Sequence, residues 1–316
     1  MTAMAATATP LTITRDLVTG AEWSAAQVRE LFHLAADIKA RPDRYRGALG
    51  GRFLALIFEK PSLRTRVTFE IGIASMGGGA VFLDHQELRL GQRESVRDVA
   101  KNLDRWVHAI VARVFSQSAL EELAAFSDVP VINALSDAFH PCQALADFFT
   151  LEEKFGALKG LKVAYVGDGN NVCHSLLLTG ARVGATVRVA TPAGYEPNPE
   201  VVAEARRAAR ETRGKIEIVS APEEAVAGAQ AVYTDVWASM GHESEAAERE
   251  KIFAPYQVNE ALMAQAAPDA VFLHCLPAHR GMEVTDAVLD SPPSAVYDQA
   301  ENRLHAQKAI LLMLLA

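Results

Sequence analysis

The residues best suited to chemistry begin with a polar segment that follows an apolar stretch. Ser62-Leu63-Arg64-Thr65-Arg66 comes directly after a predicted strand, Phe53–Phe58, and opens a helix predicted over Ser62–Ser75. The first N–H groups of a helix lack internal partners and carry the positive end of its dipole, so hydroxyls and guanidinium groups added there suit a phosphate. An N-cap serine followed by solvated arginines is the plainer alternative. The segment alone leaves both interpretations open.

Two further strand ends in the first half carry polar side chains. Arg113 lies on the predicted strand Ala109–Val114, and His140-Pro141-Cys142-Gln143 follows the predicted strand Val129–Asn133. An arginine, an imidazole and an amide near the Ser62 helix would hold a phosphate and polarise a carbonyl group. For His140 alone, a capping or packing role is the simpler interpretation.

The second half repeats this arrangement with different residues. Asp235 follows the predicted strand Ala231–Thr234, and Cys275 follows the strand that ends at His274. The carboxyl ends of parallel strands face one crevice, which places the carboxylate and the thiol together. Packing is the ordinary role of a buried cysteine and stays an alternative.

A glycine turn at Gly167-Asp168-Gly169 resembles the start of a dinucleotide-binding fingerprint. The third glycine is replaced by Val172, and the next strand ends near 190–192 without the acidic residue that would bind a ribose. We therefore favour a tight strand-to-helix turn that presents Asn171 to the crevice.

These segments require strands that alternate with helices, which predicts parallel sheets. We expect an α/β fold of two doubly wound parallel-sheet domains, divided near Gly156 and Gly160, with residues 1–149 and 302–316 in one and 150–301 in the other. A C-terminal helix, Asn302–Leu315, should pack back across the junction. The other predicted strands are Ala80–Leu83, Leu161–Val166, Thr186–Ala190, Ile216–Val219, Val271–His274 and Ala295–Tyr297. The other predicted helices cover 21–40 (with Ser24 as cap), a stretch after Ser95, 119–126, 143–155 and 173–182.

Composition narrows the function classes. The chain has 316 residues, half of them apolar, and a formal charge of −8, which argues against a nucleic-acid-binding surface. Its three cysteines show neither disulfide nor zinc spacing, and no metal site is predicted. Residues 1–10 read as a frayed tail rather than a signal peptide, and no apolar run suits a membrane span. We expect a cytoplasmic protein that acts on a small molecule.

Four ordered motifs resemble those of the carbamoyltransferases, and within them the branch that acts on ornithine. They are Ser62-Leu63-Arg64-Thr65-Arg66, His140-Pro141-Cys142-Gln143, Asp235-Val236-Trp237-Ala238-Ser239-Met240-Gly241 and His274-Cys275-Leu276-Pro277. The resemblance implies catalytic roles for Asp235, Cys275, Arg113 and His140. It implies carbamoyl phosphate binding by the first domain through Ser62, Leu63, Arg64, Thr65, Arg113, His140 and Gln143, in a pocket that Cys275, Leu276 and Arg303 complete. It implies ornithine binding, by the second domain, through Asn171, Asp235, Ser239 and Met240.

The resemblance also implies a reaction and an assembly. Carbamoyl phosphate and L-ornithine would give citrulline and phosphate in arginine metabolism, without a cofactor. A homotrimer is implied, with the loop 84–92 reaching a neighbouring site; Arg89 stands where the family often has glutamine. Residues 237–255 are rich in Glu, Ser and Gly and poor in apolar residues until Ile252 and Phe253, which predicts a lid that closes on ornithine; a plain surface loop of solvated charges is the alternative.

Two alternatives remain open. The first is another carbamoyltransferase, acting on aspartate, putrescine or an acylated ornithine, which should differ around Ser239-Met240-Gly241. The second is a non-enzymatic regulatory relic of the fold, which should have lost Arg64, Arg113 or Cys275; all three are present.

Overall fold

The computed structural model describes residues 15–84, 90–238 and 245–316. The predicted N-terminal tail, Arg89, Ser239 and Met240 lie outside these ranges. Along the described residues, none of the helices combines the length and the apolar character that crossing a membrane requires.

The first half forms a four-stranded parallel sheet. Its strands are β1 (Phe53–Phe58), β2 (Gly79–Asp84), β3 (Ala109–Arg113) and β4 (Val131–Leu135), in the order β2-β1-β3-β4. The helices are α1 (Ala25–Ala40), α2 (Arg64–Ser75), α3 (Val96–Leu103), α4 (Gln117–Phe126) and α5 (Pro141–Phe155). As predicted, Ser24 caps α1, in a reciprocal arrangement with Gln27.

The second half forms a five-stranded parallel sheet. Its strands are β5 (Lys162–Val166), β6 (Thr186–Ala190), β7 (Lys215–Val219), β8 (Ala231–Thr234) and β9 (Val271–His274), in the order β7-β6-β5-β8-β9. The helices are α6 (Asn171–Val183), α7 (Pro199–Thr212), α8 (Pro222–Val226), α9 (Ala246–Phe253), α10 (Glu260–Met263), α11 (Asp286–Leu289) and α12 (Val296–Leu315).

Both sheets are covered by helices on both faces, so the predicted doubly wound α/β architecture is confirmed. One continuous core runs from α1, α2 and α5 to α6 and α7, and smaller cores cover the opposite faces of the two sheets. α12 packs against α1, α2 and α5 as well as β9, and thus joins elements of both halves. The inner strands β1, β3, β5 and β8 read largely as apolar runs because both of their faces are covered.

The predicted strand Ala295–Tyr297 is wrong. Ser294 makes only an isolated bridge with Phe272, and the chain turns helical at Val296, six residues before the predicted helix start at Asn302. A short apolar run does not distinguish a strand from a buried helical turn by its periodicity. The longer helix matters because its first turns bring Gln299 and Arg303 into the interior.

The topology determines where a site can form. The first sheet reverses its strand order between β1 and β3, and the second between β5 and β8. Loops that leave the carboxyl ends of neighbouring strands on the two sides of such a switch point diverge and leave a crevice. Polar residues predicted to form the site lie at or just after the ends of β1, β3, β5 and β8.

Candidate active site

A single cavity of about 570 Å³ gathers most of the predicted site residues. Its lining includes Ser62, Leu63, Arg64, Thr65, Arg113, His140, Gln143, Asn171, Asp235, Cys275, Leu276 and Arg303. The residues come from both halves of the chain, from strand ends and from the first turns of α2, α5, α6 and α12. Only Ser239 and Met240, among the predicted residues, lie outside the described part.

The start of α2 opens onto the cavity without a side-chain cap. Leu63, not Ser62, occupies the N-cap position, and its side chain makes no capping hydrogen bond. The helix begins at Arg64, so the simple N-cap serine is not realised. Backbone N–H groups at the helix start therefore remain for an anion at the cavity.

Arg66 does not share the role proposed for Arg64. Its Nε donates to Glu70 Oε1 at 3.0 Å, and its guanidinium lies 3.5 Å from the centroid of the Phe82 ring, outside the cavity lining. The expectation that both arginines serve one anion is wrong, because two residues separated by two positions on a helix point to different faces.

Three arginines bring positive charge to one side of the cavity. Burial, with Arg303 nearby, lowers the pKa of Arg113 to about 10, and burial also lowers the pKa values of Arg64 and Arg303. At neutral pH all three remain cationic. The Nε atoms of Arg113 and Arg303 are buried and have no hydrogen-bond partner within the described ranges. Such unpaired buried donors are costly without an acceptor.

His140 lies next to these arginines as a neutral imidazole. Burial, together with the charges of Arg303 and Arg113, holds its pKa well below the usual value. Its Nδ1 has no partner among the residues described, while its backbone N–H donates to Ser175 Oγ at 2.7 Å. The side chain is therefore not consumed in capping α5, and a neutral ring beside a cationic cluster is suited to hydrogen bonding with a carbonyl oxygen.

Gln143 connects the arginine side of the cavity to a layer behind it. Its Oε1 accepts a short hydrogen bond from Arg303, whose Nη2 donates to Thr65 Oγ1 at 3.0 Å. Its Nε2 donates to Asp147 Oδ1 at 2.7 Å. Asp147 was missed from the sequence, although its position four residues after Gln143 on α5 places the two on one helix face.

Asp235 and Cys275 meet in the cavity at the ends of β8 and β9. The thiol donates to Asp235 Oδ1 at 3.0 Å, and Asn170 Nδ2 donates to Oδ2 at 2.9 Å. Burial and the Asp235 charge raise the pKa of Cys275 well above its usual value, so the thiol is a neutral donor and not a thiolate. The predicted proximity of the carboxylate and the thiol is confirmed.

The backbone after Cys275 is held in an unusual conformation. Leu276 has φ of 58°, a region that non-glycine residues seldom occupy, and its N–H donates to His274 Nδ1 at 2.8 Å. The other ring nitrogen of His274 lies 3.2 Å from the buried Glu283. This pair fixes the loop that forms one wall of the cavity.

The glycine turn after β5 packs tightly against a later segment of the chain. A Cβ atom at Gly169 would lie less than 3.0 Å from backbone atoms of residues 195–197. Asn170 caps α6 by accepting from the N–H groups of Val172 and Cys173, and Asn171 donates to the Ser136 carbonyl at 2.6 Å. The turn thus orients asparagines into the cavity, as predicted. The capping role of Asn170 was not predicted from the sequence, although an asparagine before a predicted helix is a recognised N-cap signal.

The described parts of the predicted lid, residues 237–238 and 245–255, include more buried side chains than the polar composition indicated. Residues 239–244 lie outside the description, but Trp237, Arg249 and Phe253 are buried. The Trp237 ring stacks on Phe253, and Arg249 Nη1 donates to Asp168 at 2.9 Å and to the Trp237 carbonyl at 2.8 Å. Both flanks of the segment are therefore anchored, which its polar composition did not predict.

Three potential metal ligands also lie together. Ligand atoms of Asp235, His274 and Cys275 are within 4.8 Å of one another, which no spacing motif predicted. Hydrogen bonds within the protein already use the groups: Cys275 donates to Asp235, and His274 contacts Leu276 and Glu283. These hydrogen bonds account for the proximity of Asp235, His274 and Cys275.

The charge pattern defines what the cavity can bind. Arg64, Arg113 and Arg303 line the cavity together with Asp235, which follows β8 and accepts hydrogen bonds from the neutral groups of Asn170 and Cys275. Two further acidic residues line the cavity: Asp168 is paired with Arg249, and Asp137 accepts from the Gln117 N–H. The arrangement suits an anionic substrate beside a cationic one, with a carbonyl group between them.

Comparisons with known proteins agree with this geometry. The family model of the aspartate/ornithine carbamoyltransferase carbamoyl-P binding domain matches residues 15–153, and that of the Asp/Orn binding domain matches residues 159–314. The chain is 54% identical to "Ornithine carbamoyltransferase" of Pyrococcus horikoshii, over 93% of this chain and 91% of that protein. It is 53% identical to "Ornithine carbamoyltransferase, anabolic" of Pyrococcus furiosus, over 93% and 92%.

A solved structure gives the same result. The ornithine carbamoyltransferase from Pyrococcus furiosus superposes with a TM-score of 0.93 at 52% identity, covering 95% of this chain and 97% of that one. The chain belongs to the aspartate/ornithine carbamoyltransferase family.

Proposed function

We propose that the protein is an ornithine carbamoyltransferase, which transfers the carbamoyl group of carbamoyl phosphate to the δ-amine of L-ornithine and releases citrulline and phosphate. The observation that carries the proposal is one cavity that holds the cationic Arg64, Arg113 and Arg303 together with the Asp235–Cys275 pair. The names of the relatives at 53–54% identity support the same activity.

The phosphate end of carbamoyl phosphate is assigned to the start of α2. Its N–H groups, the hydroxyls of Ser62 and Thr65 and the Arg64 guanidinium provide donors for the phosphate oxygens. Arg113, His140 and Gln143 adjoin that position, with Arg303, and are assigned to the carbamoyl group. Leu276, whose backbone is held at a φ of 58°, is assigned to complete the wall of that pocket.

Ornithine is assigned to the side that contains Asn171 and Asp235, with Ser239 and Met240 proposed from the family resemblance. A side-chain amine has a reference pKa of about 10.4, so the δ-amine must lose a proton before its lone pair attacks the carbamoyl carbon. Asp235 and the neutral Cys275 thiol are placed to orient the amine and ease this loss.

Attack forms a C–N bond and moves the carbonyl electron pair onto oxygen. Thr65, Arg113 and His140 are assigned to stabilise that oxyanion. Collapse of the intermediate re-forms the carbonyl group and breaks the C–O bond, so that phosphate departs with the bonding electrons. The δ-nitrogen loses two protons in all: one is released before the attack, and the second, lost once the C–N bond has formed, ends on the departing phosphate as HPO4²⁻.

An assay with several amines tests the assignment. We expect citrulline formation from carbamoyl phosphate and ornithine, with much lower product formation from aspartate, putrescine or N-acetylornithine. A preference for one of those amines would replace ornithine as the substrate, and no product from any amine would contradict the enzymatic function.

The physiological setting is also proposed. The name of the Pyrococcus furiosus relative includes "anabolic", which supports a role in arginine biosynthesis. The three cysteines are free thiols, which supports a reducing compartment such as the cytoplasm.

We assign carbamoyl phosphate to residues 1–149 with 302–316 and ornithine to residues 150–301.

A homotrimer is proposed as the assembly. Leu63, Val67 and Ile71 recur every four residues on α2 with exposed fractions of 72%, 40% and 53%, and Val81 on the edge strand β2 is 54% exposed. Such a stripe on a helix is ordinarily covered. It reaches the cavity at Leu63, so a second copy of the chain seated there would complete the wall of the site.

Charges placed on this stripe should break the assembly. The wild-type protein is expected to scatter light with three times the 34.1 kDa chain mass, and a Val67→Glu/Ile71→Glu variant with the mass of one chain and much reduced activity. The matched control is Tyr297→Glu, at an exposed aromatic residue on α12, which should stay trimeric. A monomeric wild type, or a trimeric double variant, would contradict the proposed interface.

A further inference from the structure

A fully buried carboxylate lies directly behind the cavity and is not part of its lining. Asp147 belongs to α5, is inaccessible to solvent, and is absent from the residues that surround the cavity. Burying a carboxylate is costly unless strong hydrogen bonds compensate. Its partners therefore indicate what it contributes.

One carboxylate oxygen receives two amide groups. Asp147 Oδ1 accepts from Gln143 Nε2 and from Gln299 Nε2, both at 2.7 Å. An ionised carboxylate only accepts, so it requires the nitrogen of each amide to face it. The carbonyl oxygen of each glutamine must then point away from Asp147.

For Gln143, the carbonyl oxygen points towards Arg303 and accepts from its guanidinium. Arg303 in turn donates to Thr65 Oγ1 at 3.0 Å. If the Gln143 amide were reversed, two donors would face each other across this contact. The orientation imposed by Asp147 is thus transmitted to three residues of the cavity.

For Gln299, the carbonyl oxygen accepts from the His274 backbone N–H at 3.0 Å, one residue before Cys275. Its nitrogen also lies 3.2 Å from the Tyr233 hydroxyl on β8. One oxygen atom of Asp147 therefore connects the residues assigned to carbamoyl phosphate with β9, the strand that ends one residue before the thiol of Cys275.

We propose that Asp147 is a positioning residue whose carboxylate sets the amide orientation of Gln143 and Gln299, and thereby preorganises Arg303 and Thr65 for carbamoyl phosphate. The inference rests on the proposed function, because carbamoyl phosphate is the ligand assigned to that side. It adds a residue that acts through others and touches neither substrate.

The test compares two substitutions by calorimetry with carbamoyl phosphate at pH 8. This pH lies above the pKa of Asp147, which burial raises to about 7 against the opposing effect of its amide partners and Arg303. Asp147→Leu removes the acceptor at similar volume and should weaken binding by about tenfold or more, the usual effect of losing one charge-assisted hydrogen bond. Asp147→Asn keeps an acceptor oxygen and should stay within about threefold of wild type.

Thr150→Val is the matched control for polar packing between α5 and α12. Thr150 is equally buried, one turn further along α5, and its Oγ1 accepts from Asn302 Nδ2 at 3.0 Å, without reaching the cavity. Its loss should lower Tm and leave the Kd of carbamoyl phosphate unchanged. Wild-type binding by Asp147→Leu, or equal impairment by Asp147→Asn, would overturn the positioning role.

A second pair keeps the test decisive if Asp147→Leu does not fold. Gln143→Glu should weaken carbamoyl phosphate binding, because two carboxylates would face each other. Adding Asp147→Asn removes one of the two facing charges and should recover about tenfold of the lost affinity. No recovery would overturn the inference, whereas an unmodified protein that fails to bind carbamoyl phosphate would overturn the proposed function itself.

Discussion

Asp235→Asn is expected to reduce kcat/KM for ornithine by about 10²–10⁴-fold, the range for losing a positioned acid–base group. The carboxylate accepts from Cys275 at 3.0 Å and from Asn170 at 2.9 Å, so its shape and place are fixed before ornithine arrives. An asparagine retains the shape but neither attracts a cationic amine nor accepts its proton. Steady-state kinetics with each substrate varied in turn measure the loss.

The effect should be confined to the ornithine side. Carbamoyl phosphate binding by Asp235→Asn is expected to remain near wild type, because the substitution leaves Arg64, Arg113 and Arg303 in place. Asp137→Asn is the matched control: this carboxylate lies at the cavity rim, where it accepts from the Gln117 N–H at 2.8 Å. An Asp235→Asn enzyme with wild-type turnover would remove Asp235 from the mechanism.

Arg64→Ala is expected to weaken carbamoyl phosphate binding by about 1.5–3 kcal/mol, which corresponds to roughly 10- to 150-fold in Kd. Arg64 is the first residue of α2, where its guanidinium and the helix N–H groups serve the same anion. Burial already lowers its pKa, so the charge is held in a partly desolvated position where an anion interacts with it strongly. Calorimetry on the folded variant measures the change.

Arg66→Ala provides the matched comparison, two residues along the same helix. The ion pair between Arg66 and Glu70 is partly exposed. Removing the Arg66 side chain should therefore alter carbamoyl phosphate affinity by less than about twofold. If the two variants bind equally well, the anion site does not involve Arg64. The pair thus separates a specific contact from general positive charge near the helix start.

Much of the fold followed from local pattern. The strands Phe53–Phe58, Thr186–Ala190, Ala231–Thr234 and Val271–His274 have the bounds that were predicted. Strands covered on both faces are short apolar runs ended by polar residues, a signal contained within the strand itself. The same polar residues marked the site, because the carboxyl ends of parallel strands share one edge.

The sequence by itself therefore determined the two parallel sheets, the strand ends that carry chemistry and the phosphate-type helix start. The tertiary structure alone decided which side chains meet. Arg64 lines the cavity and Arg66 does not, and Asp147 contacts Gln299 across 152 positions of sequence. Periodicity reports whether a residue faces the interior, but a hydrogen bond between distant residues depends on how whole helices pack, and that is settled only when both sheets share one core.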